Sequence, residues 1–125
     1  MKRRFVCVYL LALLMVLPVT TAGQEIGPEN GSLVIVGGGR LDSEILERFL
    51  DLAGGADAPI VVIPTAGGGE HYDQYYPGLR LFKAAGATNL TVLHTTDPAV
   101  ADTEAFVQPL LEARGVWFPG GRQWR

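Results

Sequence analysis

Short apolar runs separated by amphipathic stretches dominate the chain from residue 32 onward. Four of these runs are continuous or nearly so and are bounded by glycine, proline or polar residues: Leu33-Val34-Ile35-Val36, Ile60-Val61-Val62-Ile63, Leu90-Thr91-Val92-Leu93 and Val116-Trp117-Phe118. Continuous rather than alternating apolarity is typical of strands that are covered on both faces, as in parallel sheets. The pattern therefore predicts four parallel strands.

Helical spacing fills the stretches between these runs. The first helix is predicted to begin after Asp42 as N-cap and to end at Gly54-Gly55, with one apolar stripe: Ile45, Leu46, Phe49, Leu50 and Ala53. A second helix ends at Gly86 with Leu79, Phe82 and Ala85 toward the core. A third carries Phe106, Leu110 and Ala113, with Pro109 either bending it or starting its final turn.

Strands that alternate with helices predict right-handed βαβ crossovers and an α/β fold. Four strands with only three helices would leave part of such a sheet uncovered. We therefore expect the domain to be incomplete at its carboxyl end and the protein to continue beyond Arg125.

The amino terminus has the pattern of an export signal. Three basic residues at positions 2–4 precede an apolar run from 5 to 19, and Thr20-Thr21-Ala22 supplies small residues for a signal peptidase. We predict a signal peptide at 1–22, a flexible leader at 23–31, a domain at 32–125, and a secreted or periplasmic protein. The alternative, an uncleaved membrane anchor, needs a longer apolar stretch.

The charge balance and the cysteine content limit the classes of partner and the chemistry that we expect of this protein. The chain has 10 Lys and Arg against 13 Asp and Glu, and three of the basic residues lie in the predicted signal, which leaves the mature part near −6. An acidic domain disfavours nucleic acid and anionic membrane as partners. The single cysteine, Cys7, also lies in the signal, so the mature chain has no thiol or disulfide chemistry. We expect no metal and no cofactor.

Glycines follow two of the predicted strands, at the end of a parallel sheet where ligands bind. Pro119-Gly120-Gly121 turns the backbone sharply, and bare glycine N–H groups there suit a phosphate cradle or an oxyanion hole. Gly37-Gly38-Gly39 offers similar donors, with a plain tight turn as the alternative. The dinucleotide fingerprint fails, because Asp42 stands in place of its third glycine.

Polar residues after the other two strands leave alternatives open. Thr65 either presents its hydroxyl to the site or caps its own loop, and His94 ends the third strand. His71, with Glu70 and Asp73, either binds a metal or belongs to a solvated loop. The serines of the chain, at 32 and 43, do not lie in a strand–turn–helix elbow. The residues alone therefore indicate an exported α/β domain with a glycine-rich site and no nucleophile.

Four motifs in order resemble the cyanophycinase and aspartyl dipeptidase family of serine peptidases, whose domain is similar to class I glutamine amidotransferases. The motifs are Gly37-Gly38-Gly39, Ile63-Pro64-Thr65-Ala66, the helix end from 82 to 86, and Val116-Trp117-Phe118 followed by Gly120-Gly121-x-Gln123. The resemblance covers residues 32–125. It implies a three-layer, doubly wound, flavodoxin-like parallel sheet.

The resemblance also implies roles for individual residues. Gly120 and Gly121 match the family's glycine pair and would lend a backbone N–H to the oxyanion hole, and Gln123 matches a substrate-contacting glutamine. Gly38 and Gly39 would line the same cleft. Arg122 departs from the family, which more often has an acidic or amide residue there, so it either favours a substrate carboxylate or faces solvent.

The expected function is that of the amino-terminal portion of an exported serine peptidase acting on peptide or isopeptide bonds. The serine, histidine and acid of its triad would lie beyond Arg125, so the chain by itself is expected to be inactive, and the complete protein is expected to form a homodimer. The first alternative is a non-catalytic domain of the same architecture that binds a small molecule or peptide. A nucleotide- or phosphosugar-binding domain is disfavoured by the failed fingerprints.

Overall fold

A computed structural model describes residues 30–122. The chain from Ser32 onward forms one compact unit. The predicted signal peptide at 1–22, nearly all of the leader, and Gln123 lie outside the described residues.

Four α-helices and three strands lie in the described part of the chain, together with one turn of 3-10 helix. In chain order they are α1 (Ser43–Ala53), β1 (Ile60–Val62), the 3-10 turn (Thr65–Gly67), α2 (Leu79–Ala84), β2 (Leu90–Val92), α3 (Pro98–Ala101), α4 (Glu104–Glu112) and β3 (Gly115–Trp117).

The three strands form one parallel sheet in the order β2-β1-β3. Ile60 at the start of β1 is aligned with Leu90 of β2 on one side and with Gly115 of β3 on the other. The middle strand β1 is buried along its whole length, which explains its unbroken apolar sequence. This arrangement of a parallel sheet with helices is compatible with the predicted α/β fold.

The predicted first strand is wrong. Residues 33–36 form no strand, and both Leu33 and Ile35 are 84% exposed. Only Val34 packs against the core. The physical reason is pairing: β1 is already hydrogen-bonded on both sides, and within the described residues the segment does not pair with β2 or β3. A strand forms only next to another strand that accepts and donates its backbone hydrogen bonds, and the sequence of the segment itself does not provide that neighbour.

Local signals placed α1 correctly. The carboxylate of Asp42 accepts a hydrogen bond from the backbone N–H of Ser43 at 2.7 Å, which caps the helix. Gly54 ends it at φ 110°, a left-handed conformation that glycine adopts without strain. Four residues of the predicted stripe are buried: Leu46, Phe49, Leu50 and Ala53.

The main core lies between α1, α2 and one face of the sheet. Phe49 of α1 packs edge-to-face on Phe82 of α2 and on Trp117 of β3, with ring centroids 6.3 and 5.1 Å away. Gly115 lies beneath this cluster, where a Cβ would come within 2.8 Å of both Phe49 and Ile60. Glycine is thus required where α1 meets the start of β3.

The opposite face of the sheet meets α4. Val61 points away from the main core and lines a cavity of about 350 Å³ with Ala105 and Pro109 of α4. The predicted third helix corresponds to α4, which begins where the Thr103 side chain accepts from the N–H of Phe106, and the short α3 before it was not predicted. Pro109 lies inside α4.

Candidate functional site at the carboxyl ends of the strands

The strand order indicates where a crevice is expected. The chain passes from β1 to β2 on one side and then crosses back to β3 on the other side of β1. Where the direction of winding reverses in a parallel sheet, the loops leave on opposite faces and open a crevice at the strands' carboxyl ends. In this sheet the rule places the expected crevice between the loops that begin at Ile63, after β1, and at Phe118, after β3.

The loop after β1 starts with a tight turn. The N–H groups of Gly67 and Gly68 donate to the carbonyls of Pro64 and Thr65 at 2.9 and 3.1 Å. Gly68 has φ 73°, so the turn depends on glycine at that position. This turn holds Thr65 at the carboxyl end of the middle strand, with its side chain exposed.

A polar pair joins the ends of β1 and β2. Thr65 Oγ1 and His94 Nδ1 are 3.0 Å apart, a hydrogen-bond distance between residues that are 29 positions apart in sequence. The other ring nitrogen of His94, Nε2, is buried and has no hydrogen-bond partner within the described residues. Thr65 therefore does more than cap its own loop, because its side chain contacts His94.

Tyr72 completes this cluster, and sequence reasoning missed it. Its ring packs edge-to-face on His94 with centroids 4.8 Å apart, and its hydroxyl oxygen accepts the N–H of Gly69 at 2.9 Å. A Cβ at Gly67 or Gly69 would collide with the Tyr72 side chain. The glycines of this loop are thus explained by a close approach to an aromatic ring rather than by flexibility. The available signal was a tyrosine shortly after three consecutive glycines.

Tyr76 extends the aromatic cluster. Its ring lies 5.3 Å from that of Tyr72, edge-to-face. Burial, and secondly the neighbouring Tyr72, raise the pKa of the Tyr76 hydroxyl above its ordinary value of 10.0. The folded protein therefore holds this proton more tightly than the unfolded chain does, and the resulting stabilisation is present below pH 10 and is lost as pH rises through the folded pKa.

The loop after β3 is anchored to the loop after β1. The N–H of Arg122 donates to the carbonyl of Ala66 at 3.0 Å, and Gly121 lies directly against the same carbonyl, with no space for a Cβ. Gly120 has open space around it. Within residues 30–122, the N–H groups of Gly120 and Gly121 donate no hydrogen bond. Gly121 is thus in contact with the loop after β1, whereas the surroundings of Gly120 are open.

Two further predicted site residues, Gly38 and Gly39, lie within the described part of the chain. Gly38 and Gly39 are exposed, and no hydrogen bond among the described residues joins them to Gly120 or Gly121. The following residue, Arg40, lines a different cavity, of about 660 Å³, with Leu81 of α2. The role of Gly38 and Gly39 in the cleft stays a prediction, as does that of Gln123, which lies outside the described residues.

Arg122 and His71 are both exposed. His71 Nε2 lies 3.6 Å from an Asp73 carboxylate oxygen, with 83% of the histidine side chain exposed. Among the described residues, no group of three or more His, Cys, Asp or Glu side chains is arranged to hold a metal ion. None of the described helices is long and apolar enough to cross a membrane.

Comparison with known proteins gives one informative match. Over 103 aligned residues the chain is 32% identical to a cyanophycinase from Geminocystis herdmanii (strain PCC 6308). The alignment covers 75% of this chain but 36% of that protein, so the chain spans little more than a third of the length of the curated relative it matches. No family model and no solved structure matches the chain. The match supports a distant, cyanophycinase-like relationship for this part of the sequence.

Proposed function

We propose that the chain is the amino-terminal portion of an exported serine-type peptidase resembling cyanophycinase. In this proposal a serine beyond Arg125 attacks a peptide or isopeptide carbonyl, assisted by a histidine and an acidic residue that also lie beyond it. The complete domain is a three-layer, doubly wound sheet in which the strand carrying the serine joins those described above. The match to a cyanophycinase supports the assignment of reaction class.

One observation carries the proposal: the N–H groups of Gly120 and Gly121, which donate no hydrogen bond within residues 30–122, lie in the loop after β3, next to the loop after β1. Acyl transfer builds negative charge on the carbonyl oxygen in the transition state, and fixed backbone donors stabilise that charge without reorganising. Removing one such donor typically costs about 3 kcal/mol of transition-state stabilisation. The hydrogen bond from Arg122 to Ala66 holds this loop in place and so supplies the rigidity that the role requires.

The test begins with the complete reading frame that contains this chain. The encoded protein, purified after export, is incubated with a β-linked aspartyl–arginine polymer, the substrate that the resemblance to cyanophycinase implies, and released fragments are measured by mass spectrometry. A fluorophosphonate probe reports in parallel on an activated serine. We expect both hydrolysis and labelling, and we expect replacement of the labelled serine by alanine to abolish both.

Two results would rule the peptidase out. The first is a reading frame without a Gly-x-Ser-x-Gly elbow. The second is a protein that neither cleaves the polymer nor reacts with the probe.

A non-catalytic binding domain is the second candidate, and a specific observation favours it. The described residues place hydrogen-bonding groups at the crevice, but Ser43 lies in the first turn of α1, where its N–H bonds to Asp42, and Ser32 precedes the segment at 33–36. Saturable binding of a β-aspartyl–arginine dipeptide without cleavage or serine labelling would select this candidate.

A further inference from the structure

The Thr65–His94 pair has no role in the proposed triad, yet it occupies the centre of the site. Thr65 follows the middle strand, between His94 on the β2 side and the loop of Gly120 and Gly121 on the β3 side. Its side chain is exposed while the ring atom Nε2 of His94 is buried. A hydroxyl that faces solvent and is held from behind by a buried ring is arranged to contact a ligand.

His94, when neutral, can carry its proton on either ring nitrogen. Nε2 has no partner among the described residues in either form, as a buried donor when it is protonated and as a buried acceptor when it is not. With the proton on Nδ1, the ring donates to Thr65 Oγ1, 3.0 Å away. Only in this Nδ1–H form does Thr65 keep its own hydrogen for a ligand.

The direction of this hydrogen bond sets the direction of the next one. When Thr65 Oγ1 accepts from His94, its own hydrogen is free to point away from the ring, toward the crevice. Tyr72 keeps the imidazole from turning, since its ring packs on His94 and its hydroxyl is bonded to Gly69. The result is one oriented hydroxyl donor on the same edge of the sheet as the Gly120 and Gly121 amides.

We propose that Thr65 contacts the substrate, donating a hydrogen bond to a carbonyl or carboxylate oxygen, and that His94 is a positioning residue that orients the Thr65 hydroxyl. This inference rests on the proposed peptide or isopeptide ligand but not on the presence of a catalytic serine. It assigns the end of β1, together with the loop after β3, to substrate recognition.

The first arm of the test is spectroscopic. The protein of the complete reading frame is labelled with ¹⁵N-histidine, and long-range ¹H–¹⁵N spectra are recorded at about pH 8, where an ordinary imidazole is neutral. Spectra of the His94→Gln variant identify the signals of His94. We expect the Nδ1–H form at His94, retained in Thr65→Ser and lost in Thr65→Val. The exposed His71 serves as internal control and should not change.

The second arm measures binding of β-aspartyl–arginine by calorimetry, with any fluorophosphonate-reactive serine replaced by alanine so that the dipeptide stays intact. Loss of one hydrogen bond weakens binding by about 2- to 10-fold, so Thr65→Val should raise Kd by that factor and Thr65→Ser should stay near the parent value. Thermal melting of each variant checks that it folds. If Thr65→Val does not fold, the result for Thr65→Ser decides.

The outcomes separate this inference from the proposed function. An Nε2–H form in the parent protein, or equal dipeptide affinity in the parent and a folded Thr65→Val variant, overturns the role of the pair. If Thr65→Val does not fold, an Nε2–H form in Thr65→Ser overturns it as well. Absence of hydrolysis and of serine labelling, with the Nδ1–H form and the binding loss both present, overturns the peptidase and leaves Thr65 as the recognition residue of a binding domain.

Discussion

Gly120 and Gly121 are neighbours in sequence, but a side chain would meet different surroundings at each. A Cβ at Gly121 would collide with the backbone carbonyl of Ala66, while a Cβ at Gly120 meets nothing within 4 Å. The resemblance treats the two as one motif. The structure separates them into a residue needed for loop contact and a residue whose surroundings are open to a ligand.

We predict that Gly121→Ala destabilises the protein by about 1–3 kcal/mol, the usual cost of forcing atoms into a packed site. The carbonyl of Ala66 cannot move without breaking its hydrogen bond from Arg122. Urea unfolding followed by Trp fluorescence measures the change. Gly120→Ala is the matched control and should stay within about 0.5 kcal/mol, as surface substitutions usually do. Equal effects of the two substitutions would contradict this assignment.

The contacts among Thr65, His94 and Tyr72 could not be predicted from the sequence. Thr65 and His94 were candidates because both follow predicted strands, but their contact depends on β1 and β2 being neighbours. Nothing in the two local sequences specifies that pairing. Tyr72 was not considered, because its place against His94 depends on the path of a glycine-rich loop.

At the scale of elements, helices and strands differed in how far the sequence determined them. The limits of α1 were predicted closely, because its N-cap Asp42 and its left-handed Gly54 are local features. The segment at 33–36 has the composition of a strand but forms none. Strand formation requires a hydrogen-bonding neighbour, and no local pattern shows whether one is present.

We predict that Asp42→Ala lowers the free energy of unfolding by about 1 kcal/mol, the typical cost of losing an N-cap. The reason is that the N–H of Ser43 loses its acceptor at the start of α1, the helix that buries Phe49 and Leu50 in the core. Chemical unfolding monitored by circular dichroism measures the effect. Asp42→Asn keeps a capping oxygen and should lower the free energy of unfolding by only about a few tenths of a kcal/mol. An alanine variant as stable as the parent would show that the cap contributes nothing.

At the scale of the whole molecule, apolar side chains are exposed near β3. Phe118 is 70% exposed, Leu111 of α4 is 76% exposed, and β3 lies at one edge of the described sheet. An edge strand next to exposed apolar side chains invites pairing with another chain. The further strand that we propose beyond residue 125 would cover this edge.

We therefore predict that residues 32–125, produced alone, self-associate. Sedimentation velocity at rising concentration should show oligomers at about 100 µM, within the range where exposed apolar surface drives association. Phe118→Ser should reduce the association, because it removes the large ring next to the open edge. Tyr75→Ser, at a position that is 84% exposed but belongs to a different loop, is the control. A monomeric fragment that melts cooperatively would contradict the prediction.

The sequence by itself determined the features that depend on near neighbours along the chain. These are the caps and buried stripe of α1 and the three apolar runs that became β1, β2 and β3. Each follows from backbone hydrogen bonding or from apolar periodicity within a few residues. The sharp turn predicted at Pro119-Gly120-Gly121 was wrong, since residues 118–122 form neither a turn nor a bend.

Only the tertiary structure decided which runs pair, and hence what meets at the carboxyl ends of the strands. The order β2-β1-β3 brings His94 to Thr65 and Arg122 to Ala66, and it leaves residues 33–36 without a strand partner. Pairing is a contact between segments that are distant in sequence, and its free energy depends on the partner as much as on the segment itself.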